Sequence, residues 1–233
     1  MTELRTGGAE QVSGAGEAPE RGVSFGPNDA AAEPGPGAGF GPLDSPELSV
    51  KYFVEDSSAV RVEELIPVFH RWIRESVLED ELLIDVANYA HVPKGPGVML
   101  ICNLGQYGLD LRHGRPGLRY RRRRVAHGSP QDQLAGTFRS ALRAGSLLED
   151  EPALEGRYRF RTDEVELVIY DRLRAPSALG TLEAVSPLLG SFVTQLYEDP
   201  AVSLELTSRS NEPFAVRITT QEAPPLHVLL SRL

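Results

Sequence analysis

The sequence predicts an α+β domain: a mostly antiparallel sheet with about three amphipathic helices on one face, preceded by a disordered amino-terminal tail. Three observations lead there. Apolar stripes of helical period alternate with short β-rich runs. Glycine and proline turns separate those runs at hairpin distances. The first 44 residues have a composition of their own, with 10 of the 22 glycines and 5 of the 18 prolines.

That opening segment has seven acids, two arginines and almost no large apolar side chains. Burial cannot offset its ordering entropy. The expected plan is an acidic Gly/Pro/Ala-rich tail over 1–45 and a single domain over 46–233, with the fold starting near Pro46 to Val50. Val62, Leu65, Ile66, Phe69, Trp72, Ile73 and Val77 then share one helical face. Pro67 makes that helix kink or begin late. Short β-rich runs follow at 82–86, 97–103, 106–112 and 117–124.

A second helix opens at Ser129, with Pro130 and Asp132 in good first-turn positions. Leu134, Phe138, Ala141, Leu142 and Leu148 form its apolar side. Runs at 157–162 and 164–170 read as a tight hairpin turning at Thr162-Asp163. A third helix covers 177–198, with the stripe Leu179, Leu182, Val185, Leu189, Phe192, Val193, Leu196 and Tyr197; Ser186-Pro187 would kink or restart it. Strands at 202–207 and 214–219 close the chain. Helix plus hairpin recurs three times, but without residue-level identity, so ordinary alternation explains it better than a repeat.

Composition excludes several classes. The net charge of -9 argues against general nucleic-acid binding. One cysteine, Cys102, rules out an internal disulfide framework and a cysteine zinc cluster. The five histidines are scattered, so no metal is expected. No apolar run approaches the ~20 residues of a membrane helix, and no signal pattern opens the chain; a cytoplasmic protein is expected. Arginine supplies 22 of the 24 basic residues, as codon bias in a GC-rich bacterial genome would produce.

Three features are candidates for function. Phe25-Gly26-Pro27-Asn28-Asp29 and Phe40-Gly41-Pro42-Leu43-Asp44 share the pattern Phe-Gly-Pro-x-Asp, with the only phenylalanines of the tail. An aromatic anchor, a stiffened backbone and a charge (Phe25, Pro27, Asp29; Phe40, Pro42, Asp44) suit docking to a protein partner, with avidity from two copies. Next, strand period puts Arg119, Arg121 and Arg123 on one face without obvious acidic partners, near Arg112, His113, Arg115 and His127. They could hold a phosphate, an acidic peptide or a nucleic-acid backbone, or protect an edge strand. In Arg157-Tyr158-Arg159-Phe160-Arg161 the same period pairs Arg161 with Glu164 and Arg159 with Glu166, an ordinary solvated face. Finally, Asp85, Tyr89 and His91, with Lys94 and the more distant Asp171, bring acid, phenol, imidazole and amine near one strand and could do acid–base work.

Asp171-Arg172 also reads as a corner fixed by hydrogen bonds. Trp72 and Cys102 read as core, and His70 as solvent-facing. No phosphate loop, dinucleotide fingerprint or nucleophile elbow is present, so no cofactor is expected. The sequence leaves enzymatic activity and oligomeric state open. Its leading reading is a non-catalytic, adaptor-like protein whose tail contacts a partner. Small-molecule binding or catalysis around Asp85, Tyr89 and His91 is the alternative, and anion binding by the arginine strand a third.

Overall fold

A computed structural model describes residues 22–24 (backbone only), 41–45, 47–92, 96–124 and 128–233. Among these residues lie nine strands: β1 (Gly22–Ser24), β2 (Leu48–Val54), β3 (Leu83–Tyr89), β4 (Gly97–Cys102), β5 (Gly105–Asp110), β6 (Gly117–Arg122), β7 (Phe160–Ile169), β8 (Ser203–Leu206) and β9 (Phe214–Thr219). The helices are α1 (Leu65–Glu75), α2 (Pro130–Glu149), α3 (Leu179–Tyr197) and the short α4 (Leu226–Ser231). The strands form one sheet in the order β1-β8-β9-β7-β2-β6-β5-β4-β3, and every pairing is antiparallel. The expected α+β class is therefore correct.

Period-two alternation decides which face is buried. Val50 and Tyr52 of β2, Leu118 and Tyr120 of β6, Leu167 and Ile169 of β7, and Val216 and Ile218 of β9 point to one side and are buried. The helices cover that side: α1 lies against β3 and β4, α2 over β2 and β6, α3 over β8, with α4 on α2. Gly145 permits that last approach, since a Cβ there would sit 2.8 Å from Leu226 Cδ1. Among the described residues the other side of the sheet has no helix.

Most helix signals hold. Pro67 falls in the first turn of α1, so that helix begins late. Ser129 caps α2, with the Asp132 carboxylate returning to the Ser129 N–H at 2.8 Å. Pro187 is accommodated inside a continuous α3. All of the third stripe is buried except Leu179, which is 47% exposed at the first turn.

Three expectations need correction. The hairpin at 157–170 is one ten-residue strand, β7. Thr162-Asp163 lacks the glycine that a two-residue hairpin turn favours after its Asp or Asn. The chain bulges instead, with Tyr52 opposite Val165 but Val54 opposite Phe160. The threefold helix-plus-hairpin plan falls with it: β3 to β6 is a meander, and β7 stands alone between α2 and α3. The fold also starts before Pro46. Pro42–Asp44 forms a 3₁₀ turn against α2 and α3, with Leu43 only 4% exposed. The backbone of Gly22–Ser24 pairs with β8; the rest of the predicted tail lies outside the described residues.

Candidate functional site

The helix-free face is built from the alternate residues of the same strands. Its centre holds Ser49, Lys51 and Phe53 of β2, Glu164, Glu166 and Val168 of β7, Ala215 and Arg217 of β9, and Arg119 and Arg121 of β6. Register brings opposite charges side by side, with Lys51 against Glu166 and Glu166 against Arg217.

This face is sealed by flat guanidinium groups. Arg115 forks onto Glu164 with two 2.6 Å hydrogen bonds and lies 4.0 Å from the centre of the Phe53 ring. Arg121 reaches Glu47 at 2.6 Å and stacks 3.7 Å over Tyr170. Stacked planes of this kind shield apolar surface while leaving charge at the water boundary. Phe53 is accordingly only 5% exposed without any helix above it.

Beneath these arginines lies a buried ion cluster. Asp110 accepts from Lys51 Nζ at 3.2 Å, Arg112 Nε at 3.0 Å and Arg119 Nη1 at 3.3 Å. Burial alone would raise the Asp110 pKa, but Arg119, Lys51 and Arg112 outweigh it and hold the carboxyl down to about 2. Lys51 shares that single carboxylate with two arginines, so burial wins and its pKa falls. Glu164 also sits below the ordinary range, chiefly through the Arg115 hydrogen bonds.

A depression of about 560 Å³ opens over this floor. Two loops wall it from opposite ends of the sheet: Leu111–Pro116 between β5 and β6, and Thr207–Pro213 between β8 and β9. Its lining contains five basic side chains (Lys51, Arg112, Arg115, Arg209 and Arg217) and two carboxylates, Glu166 and Glu212; Asp110, Glu164 and Glu205 pair with all of the five but Arg209. His113 stands at the rim in a left-handed conformation, φ 60°. Ser208 is not poised as a nucleophile: its hydroxyl is engaged by Ser177 at 2.6 Å and by the Ala215 N–H at 2.9 Å. The chemistry offered is anion recognition over an apolar floor.

The earlier candidates distribute unevenly around this site. Arg119 and Arg121 do have acidic partners: Asp110 on the neighbouring strand β5, nine residues away, and Glu47, 74 residues away. Arg123 is exposed past the end of β6, and His127 lies outside the described residues. In the second arginine run, Arg157 pairs with Glu64 at 2.8 Å, and Arg161 pairs with Asp163 at 2.6 Å and, as expected, with Glu164 at 3.8 Å. Arg159 sits 3.9 Å from Glu149 rather than across from Glu166.

Asp85 and Tyr89 are exposed on the edge strand β3, His91 on the turn after it. Asp171 follows β7, five strand positions away, about 24 Å at sheet spacing. It accepts the Leu173 and Arg174 N–H groups, each at 3.1 Å, so it fixes a corner. These four residues do not converge, and Lys94 lies outside the described residues.

Of the tail motifs, Pro42 and Asp44 shape the 3₁₀ turn, where the Asp44 carboxylate accepts the Gly41 N–H at 2.6 Å. Phe25, Pro27, Asp29 and Phe40 lie outside the described residues. Cys102 and Trp72 are buried as expected. Lys51, Phe53, Arg209 and Arg217 had not been singled out. The alternation Ser49-Lys51-Phe53 was the available signal for the first two, but the register joining β2 to β7 and β9 is not local.

The fold and the depression together define the class as an antiparallel-sheet α+β domain with one helix-covered face and one charged, helix-free face. Comparison with known proteins adds no narrower identity: no family model matches the chain, and no curated protein matches it. Among the described residues no helix is long and apolar enough to cross a membrane, and no group of three or more His, Cys, Asp or Glu could hold a metal ion.

Proposed function

We propose that this protein is a non-catalytic interaction protein that captures a short acidic segment of a protein partner in the depression on its helix-free sheet face. One observation supports this above the others. In a chain of net charge -9, the lining gathers five basic side chains, four of which pair with Asp110, Glu164 or Glu205 and present their outer edges to the depression. Among the described residues the exposed Arg209 guanidinium makes no ion pair or hydrogen bond. The net charge of -9 disfavours a nucleic acid as the occupant. Phe25 and Phe40 extend the same reading as separate anchors for that partner; a double alanine variant that binds the partner like wild type removes them from it.

The test is fluorescence anisotropy of the full chain with a labelled octaglutamate peptide at low salt, against an octalysine peptide and a short oligothymidylate. Octaglutamate is expected to bind preferentially and to weaken steeply with salt. Arg209→Glu, at an exposed and unpaired position, should weaken it about tenfold, since a two-unit charge change near the peptide is worth ~1–2 kcal/mol in water-like surroundings. Equal binding by Arg209→Glu, or tighter binding of the oligonucleotide, overturns the proposal.

A further inference from the structure

The short strand β1 stands at the edge of the sheet, beyond β8. It runs antiparallel to β8, with Gly22 opposite Glu205, Val23 opposite Leu204 and Ser24 opposite Ser203. From Leu206, β8 leads directly into Thr207–Pro213, one wall of the depression. At Gly22 the backbone therefore enters β1 from the side of that wall, and at Ser24 it leaves on the side away from it.

The chain on the wall side is acidic. Residues 1–21 lie outside the described residues, and the five before Gly22 read Glu17-Ala18-Pro19-Glu20-Arg21. Continued for those five positions, the β1–β8 register would set position 20 opposite Thr207 and position 18 opposite Arg209, with Glu17 and Glu20 to either side. Five residues span up to ~17 Å and neighbouring strands lie ~4.8 Å apart, so both acids have the reach. Period two adds the face. Glu205 pairs with Arg217 on the helix-free side at 2.9 Å, and position 20 shares the side of its partner Gly22, while Arg21 takes the other.

The wall supplies the matching charge. Arg209 is exposed, and among the described residues its guanidinium has no partner. Glu212, the acid of the same loop, accepts the Arg209 main-chain N–H at 2.9 Å instead.

We propose that the tail segment Glu17–Arg21 is an intramolecular competitor for the depression: β1 anchors it on the β8 edge, and Glu17 and Glu20 pair with Arg209 at the wall. The competition rests on the depression being a site for acidic segments. A segment tethered this closely is present at millimolar effective concentration, so weak exposed pairs suffice to hold it, and an acidic partner must displace it.

The test repeats the octaglutamate anisotropy titration on the full chain carrying Glu17→Gln and Glu20→Gln together. Binding should tighten about three- to tenfold, the worth of two exposed ion pairs. Glu3→Gln with Glu33→Gln removes the same charge away from the wall and should change binding less than about twofold, because screening limits distant charges. Amide NMR spectra of the full chain give a readout without any peptide: Glu17→Gln/Glu20→Gln should shift the Thr207–Asn211 amides, equally at every protein concentration. Octaglutamate that binds neither wild type nor the Glu17/Glu20 variant overturns the acidic-segment reading of the depression. Equal octaglutamate binding by both, equal tightening in the Glu3/Glu33 variant, or unmoved Thr207–Asn211 amides overturns the tail contact. Shifts that grow with protein concentration assign the wall to the tail of a second copy and overturn the intramolecular competition.

Discussion

Replacing Asp110 by asparagine should cost far more than replacing the lysine it pairs with. Lys51 and Asp110 are 2% and 3% exposed, so neither charge is relieved by water. Asp110 is the only carboxylate hydrogen-bonded to Lys51, Arg112 and Arg119 among the described residues. Its removal takes the carboxylate partner from the buried Lys51 and the largely buried Arg119, while Arg112 is 43% exposed and relieved by water, and breaking a buried pair from one side costs ~3–5 kcal/mol. Asparagine retains an acceptor oxygen, which puts the expected loss near the lower bound, about 3 kcal/mol. Lys51→Met leaves Asp110 with both arginines and fills the same volume; its expected cost is within about 1 kcal/mol.

An independent route to the magnitude is the pH dependence. The folded carboxyl lies at about 2 against an ordinary 3.8. The folded value is the lower one, so the contribution is fully present above the unfolded pKa and disappears as pH falls through about 2. That shift is worth about 2.4 kcal/mol at pH 7 and under about 1 kcal/mol at pH 2.5. Urea unfolding followed by the fluorescence of Trp72, the only tryptophan and 1% exposed, measures both. The charge argument is refuted if Asp110→Asn loses less than about 1 kcal/mol at pH 7, or if the gap to wild type is as wide at pH 2.5 as at pH 7.

Further outcomes follow from the same packing. Leu43→Ala should destabilise the domain by about 2–3 kcal/mol in urea unfolding, because the side chain is 4% exposed in the turn against α2 and α3; a neutral result would return residues 41–45 to the tail. Two glycine substitutions should move in opposite directions. A Cβ at Gly105 would meet the Arg121 carbonyl oxygen at 2.3 Å, so Gly105→Ala should lower the melting temperature by several degrees. A Cβ at Gly136, inside α2, meets nothing within 4 Å, so Gly136→Ala should stabilise by ~0.5–1 kcal/mol.

What could be read from the chain was whatever depends on local period. The stripes of α1, α2 and α3 and the β3–β6 meander were legible because each element shows its own pattern within a few residues. The central strand β2 was not assigned, although Leu48-Ser49-Val50-Lys51-Tyr52-Phe53-Val54 alternates clearly. It sits beside the tail and lacks a turn-linked partner, pairing instead with β6 and β7 from far along the chain. The error at β7 has a similar origin. Its alternation changes phase between Thr162 and Val165, which looks like a turn locally and is a bulge in three dimensions. The site was illegible for the same reason: Glu47 finds Arg121 across 74 positions and Arg115 finds Glu164 across 49.

Codon bias explains why arginine is abundant, but not where the sheet uses it. A lysine in place of Arg115 could not fork onto Glu164 and cover Phe53 at once, because an ammonium has no plane. Nor could a lysine at Arg121 stack on Tyr170 while reaching Glu47. Among the described residues the one lysine of this face, Lys51, sits where a compact charge is needed, 3.2 Å from Asp110. Guanidinium planes therefore do for one face of the sheet part of what helices do for the other: they cover Phe53 and Tyr170. They also leave their outward edges lining the depression, so the covering that makes a helix-free face tolerable is the same surface proposed to receive an acidic partner.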